Sequence, residues 1–151
     1  MHTATTSLPS PFWLRWLVVA AAIVIGFGAS MVLAPGPTRQ LFGLLLFASP
    51  DGVNDLAGAE AAYVSLVHAI LGATMVGWGV LLLLVVLGPF RRGSAEAWRM
   101  LVASLAAWFV PDTAFSLASG FWPNAVLNAG FVVLFAVPLL ATRGARGGAG
   151  G

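Results

Sequence analysis

Apolar residues run almost without interruption over positions 13–33, 61–87, 97–118 and 124–141, and polar or helix-breaking residues gather between them. Wound as a helix at about 1.5 Å per residue, each run is long enough to cross roughly 30 Å of hydrocarbon. The first run is broken only by Arg15 near its start. It exceeds the usual apolar core of a secretory signal and no clean A-x-A site follows, so it reads as a retained anchor. Pro35-Gly36-Pro37 stops it. Residues 40–48 are apolar but too short to span, and are expected to lie in the interface or tuck against the bundle. Residues 49–58, with Pro50, Asp51, Asn54 and Asp55, read as an exposed loop.

The second run ends at Gly88-Pro89, and Arg91-Arg92 makes the turn into the third. Ser94 is the expected N-cap, with Glu96 in the first turn. The third run contains Pro111-Asp112, where the helix is expected to restart with Asp112 in the new first turn. Residues 119–123 form a very short turn, so the third and fourth spans must be antiparallel neighbours. Residues 1–11 and the glycine tail 147–151 read as disordered, leaving one domain over 1–146.

Composition agrees with a lipid solvent. Sixty per cent of the 151 residues are hydrophobic and 8% charged, against about 25% charged in an average soluble domain. A soluble chain this small leaves too much surface exposed to hide that apolar area. Seven arginines stand against five acidic residues with no basic run, which argues against nucleic acid as a partner. With no cysteine, thiol catalysis, disulfide exchange and Cys-ligated metals are excluded.

With four spans, Arg15, Arg91, Arg92, Arg99, Arg143 and Arg146 fall on one side of the membrane, and Arg39, Asp51, Asp55 and Glu60 on the other. That asymmetry marks the arginine side as cytoplasmic. The expected fold is an all-α, integral membrane four-helix bundle of the plasma membrane, with both termini cytoplasmic. Helices in lipid associate through small residues. Two four-residue ladders, Ala22/Gly26/Ser30/Ala34 and Ser65/Ala69/Ala73/Gly77, are the expected contact faces. Trp13, Trp16, Trp98 and Trp122 stand near span ends, at the level where an indole prefers the headgroups.

Candidate chemistry is sparse and gathers at one depth. Asp112 lies well inside the third span, where a carboxylate is costly and therefore marks a functional site by default. Trp108, Asp112 and Ser116 share one face of that span. His68 sits at similar depth on the second span, and Asn124 and Asn128 one turn apart on the fourth. Asp112, His68, Asn124, Asn128 and Trp108 are thus the candidate ligand-binding set, although each could equally serve as packing or interhelical glue. Glu60 and Tyr63 fall at the outer mouth and read as solvated. Three or four metal ligands do not converge, so no metal is expected. A bis-histidine haem lacks its second histidine, and Gly26-Phe27-Gly28 follows no strand, so no cofactor is expected either.

The stretches H-A-I-L-G-A-T-M-V-G-W-G (68–79), G-P-F-R-R-G (88–93), W-F-V-P-D-T (108–113) and S-G-F-W-P-N-A-V-L-N (119–128) together resemble the BphX-like family, within the wider DoxX-like group of small four-span bacterial membrane proteins. The resemblance covers about half the chain. It implies a four-helix bundle and assigns no activity to any residue. Three functional readings stay open: a protein binding a small molecule or ion at the polar cluster, a structural or accessory subunit partnered by its own copy or another membrane protein, and an enzyme using Asp112 and His68 as acid and base on a lipophilic substrate. The balance leans away from an enzyme.

Overall fold

A computed structural model describes residues 8–47, 49 and 56–143. Pro50, Asp51, Asn54, Asp55, Arg146, most of the N-terminal lead and the glycine tail lie outside the described residues. Those described are helical, without strands. The helices are α1 (Pro11–Leu33), α2 (Pro35–Phe47), α3 (Gly58–Val85), α4 (Ala95–Ala118) and α5 (Trp122–Ala141). α1, α3, α4 and α5 are long and apolar enough to cross a membrane. α1 and α3 pack along much of their length, α4 and α5 form a second pair, and α1 touches α5 to join the pairs.

α3 gives way at Gly88, as expected: Gly88 takes the non-helical φ −93° and ψ −107°, a kink inside a wide π-type turn over Val86–Phe90. Arg91 N–H donates to the Val86 carbonyl at 3.1 Å and Ser94 N–H to Pro89 at 3.1 Å. The wider ring accommodates Pro89, which has no N–H to give. Ser94 caps α4 through its side chain, accepting from Ala97 N–H at 3.2 Å.

α1 ends at Leu33, as Pro35-Gly36-Pro37 led one to expect, whereas the expectations for Pro111 and for the small-residue faces are corrected. Pro35 does more than end a helix. It begins α2, pre-set for a first helical turn, and Thr38 ties α2 back to α1 by donating to the Ser30 carbonyl at 3.3 Å. Pro111 does not restart a helix, because α4 runs on through it and Asp112 sits mid-helix.

The small-residue faces are also elsewhere. Gly26 and Gly77 have nothing within 4 Å of a would-be Cβ. The α1–α3 crossing is made instead by Gly28 against Gly72, and by Gly79 against Ile25. A Cβ on Gly28 would lie 2.6 Å from the Gly72 carbonyl oxygen, and one on Gly79 would lie 2.6 Å from Ile25 Cγ1. Four-residue spacing alone picks out the ladders, whereas Gly28, Gly72 and Gly79 are the glycines at which α1 and α3 come close.

The indoles of Trp16 and Trp98 are not headgroup anchors alone. Trp16 Nε1–H donates to the Leu134 carbonyl at 2.8 Å. Pro138 lies inside α5 and has no N–H for that same carbonyl four residues back. Trp98 Nε1–H donates at 2.8 Å to Leu139 in the last turn of α5, where carbonyls lack helical donors. Two indoles, from α1 and α4, thus fill hydrogen-bonding gaps in α5. Around them lies the packed core: Leu17, Ala20 and Ala21 of α1, Leu82 and Phe90, Leu101 and Leu105 of α4, and Leu139 of α5. This filled half is the end bearing Arg15, Arg91, Arg92, Arg99 and Arg143. The opposite half is hollow.

Candidate functional site

The hollow half encloses a cavity of about 820 Å³, lined by all four long helices and by α2. Its walls are mainly apolar, with aromatic residues contributed by every surrounding helix. Phe42 and Phe27 lie 6.5 Å apart, Phe27 and Phe131 5.9 Å, Phe131 and Trp108 6.4 Å, and Trp108 and Trp78 5.5 Å between ring centres. They form a continuous belt from α2 to α3. Size, apolar lining and a few convergent polar groups are the attributes of a small-molecule site.

His68, Trp108, Asp112, Asn124 and Asn128 all line this one cavity. The local fold explains how two of them, Asp112 and Asn124, meet. α4 ends in a Schellman motif: Phe121 N–H bonds the Ser116 carbonyl at 2.8 Å, and Gly120 N–H bonds Leu117 at 3.2 Å. Gly120 takes φ +81°, which a residue without Cβ adopts freely. The chain reverses at once, and the first turn of α5 lies against the last turns of α4.

Asn124 Nδ2–H therefore reaches Ser116 Oγ at 2.8 Å and Asp112 Oδ1 at 3.1 Å. Ser116 Oγ–H in turn donates to the Asp112 backbone carbonyl at 2.8 Å and stands 3.3 Å from Oδ1. One carboxylate oxygen is thus held twice. The second makes no hydrogen bond among the described residues. Asn128, buried at 3% exposure, does not join this network. Its Nδ2–H goes to Thr113 Oγ1 at 3.3 Å.

His68 stands apart from the network. Its ring stacks on Phe42 at 4.6 Å with planes 25° apart, and Nδ1 is buried with no hydrogen-bond partner. A buried polar nitrogen left unpaired costs about 1–3 kcal/mol. The ring lines the cavity, while Nδ1 itself is turned away from its open space. Arg39 on α2 is near enough for its charge to act on His68, while Tyr63 is 68% exposed. Trp108 contributes ring contacts, and its indole N–H has no partner among the described residues. No three of His, Asp and Glu gather among them.

Sequence reading missed Thr113, Phe42 and Thr74. Thr113 could have been found as the neighbour of Asp112 on a helix facing Asn128. Phe42 could not, because nothing in its apolar stretch tells which side of α2 meets the bundle.

The helices and their hollow half define an all-helical, multi-pass membrane protein with an internal cavity. No protein-family model, curated protein or solved structure matches the chain.

Proposed function

We propose that this chain is a non-catalytic plasma-membrane protein that holds a small molecule in the cavity of its outer half, with both termini cytoplasmic. The orientation rests on the arginines, since Arg15, Arg91, Arg92, Arg99, Arg143 and Arg146 share one side and only Arg39 takes the other. Membership of the BphX-like family, proposed on the motifs at 68–79, 88–93, 108–113 and 119–128, supports a four-span bundle and leaves the ligand open.

One observation carries the binding reading. A cavity of about 820 Å³ has apolar, aromatic walls and carries the bonded Asp112 carboxylate and the His68 ring on its lining. A helix bundle gains from close packing, and a space of this size among four spans forgoes that gain.

A second reading has a specific observation in its favour. Asn124 and Ser116 already hold the Asp112 carboxylate, as an interhelical lock would require, so the chain would then be an accessory subunit of a membrane complex. Purification in native lipid followed by mass spectrometry of every co-purifying molecule separates the two. The binding reading expects a small molecule at a fixed ratio to the chain, lost in His68→Phe. A stoichiometric partner protein with no such molecule refutes it.

A further inference from the structure

How the cavity meets its surroundings is written in which of its lining residues are exposed. Val67 and Leu71 of α3 are 42% and 45% exposed, and Phe115 of α4 is 72% exposed. Thr74 of α3 and Ala107 of α4 are exposed as well. Every other lining residue, including all those from α1, α2 and α5, is buried or half-buried. The cavity therefore opens along one seam, between α3 and α4.

Those two helices follow each other in sequence, yet they pack less closely than either does with its main partner. They touch through Trp78, whose Nε1–H donates to Ser104 Oγ at 2.7 Å and whose ring meets Trp108. Toward the cavity end, Val67, Leu71 and Thr74 run up α3 at helical spacing opposite Phe115, with open space between. Both helices are long and apolar enough to be spans, and the seam runs from Thr74 and Ala107 near their middles to Phe115 in the last turn of α4, so its inner part faces hydrocarbon rather than water.

We infer that the ligand is a membrane-dissolved amphipath that enters sideways between α3 and α4, with an apolar body in the aromatic belt and a hydrogen-bond-donating head at Asp112. The inference rests on the binding reading and narrows it. A hydrated ion or a polar solute has no reason to approach through lipid, since crossing the seam strips its water without replacement. The head donates because the Asp112 carboxylate oxygen left without a hydrogen bond can only accept. Thr74 donates its own proton to the Ile70 carbonyl at 2.9 Å, which leaves its oxygen as a second, neutral acceptor on the way in.

The test uses full-length protein exchanged exhaustively in detergent and reconstituted in synthetic phosphatidylcholine. It is photolabelled with an aryl-diazirine hydrocarbon dissolved in the bilayer or, separately, with a water-soluble diazirine carboxylate. Adducts are read by peptide mass spectrometry at Met31, Ser116 and Asn128, which line the cavity but are buried. The bilayer probe is expected to label all three. Leu71→Trp, which fills the seam, should lower that labelling severalfold, whereas Leu84→Trp on an exposed part of α3 away from the cavity should leave it unchanged.

Labelling from water alone, labelling by neither probe, or indifference to Leu71→Trp overturns lateral entry. The readout is independent of whether any molecule co-purifies. A polar molecule that co-purifies at a fixed ratio, together with labelling from water, therefore sinks this inference while leaving the binding reading intact.

Discussion

The tightest point of the molecule gives the sharpest prediction. Gly72→Ala adds one methyl where α3 crosses α1. Its Cβ would overlap the backbone carbonyl of Gly28 and lie 2.7 Å from Met31 Cβ. Neither neighbour is the free end of a flexible side chain, so the helices themselves must part. Restoring an ordinary 3.4 Å contact to Met31 takes about 0.7 Å of separation. A radial gap of about 0.5–1 Å forfeits a quarter to a half of the dispersion attraction between the surfaces on either side. Overpacking of this kind costs about 1–3 kcal/mol.

Gly77→Ala is the matched control. It makes the same chemical change five residues along the same helix, with nothing within 4 Å. It should be neutral or should stabilise by about 0.4–1 kcal/mol through the lower entropy of the unfolded chain. Equilibrium unfolding in mixed micelles, titrated with SDS and followed by circular dichroism, reads both. Gly72→Ala is expected to unfold at clearly lower SDS than Gly77→Ala. Equal midpoints would refute the assigned crossing and return the contact face to the Gly77 ladder.

Other outcomes follow from the same geometry. Trp16→Phe should cost about 0.6–2 kcal/mol in that unfolding assay, and much less in a Pro138→Ala background, where the substituted alanine has a backbone N–H to donate to Leu134; strict additivity would show that the indole does not fill the gap left by proline. Asp112→Asn and Asp112→Leu should both abolish retention of the co-purifying molecule, whereas a purely structural Asp112 would tolerate Asn and lose stability only with Leu. Because the chain has no cysteine of its own, Glu60→Cys and Glu96→Cys each introduce a single thiol. An impermeant maleimide should reach the first only from outside the cell and the second only from the cytoplasm, and labelling of both from one face would end the four-span topology.

The spans were legible because hydrocarbon imposes one length and one polarity on whatever crosses it, and four runs of the sequence satisfy both. The common level of His68, Trp108, Asp112, Asn124 and Asn128 was legible too, since helical rise converts position into depth. Which side of each helix those residues take was harder to see. All five meet the cavity, but Asn128 bonds Thr113 rather than Asp112, and His68 stacks on Phe42 without reaching the network. Pairing at that resolution depends on helix rotation, which in lipid is set by close contacts such as Gly28 against Gly72 rather than by any polar stripe. Both sides of a span are apolar, so periodicity carries little of that information. Pro111 misled for a related reason: its ring and missing N–H suggest a break, but tertiary packing keeps α4 continuous.

The bond between Trp16 and Leu134 also bears on how the molecule is made. Its donor lies near the amino end of the first helix and its acceptor 118 residues later. During synthesis the first helix enters the bilayer long before its acceptor exists. Meanwhile its indole must be served by water or lipid headgroups, so the nascent helix is tethered near the surface by the group that later locks it in place. α5 arrives with a carbonyl that Pro138 has left without a donor, and the exchange joins α1 to a helix made long after it. Closure of α1 on α5 therefore waits for α5, and a ribosome that stops before it leaves the Trp16 indole without its carbonyl.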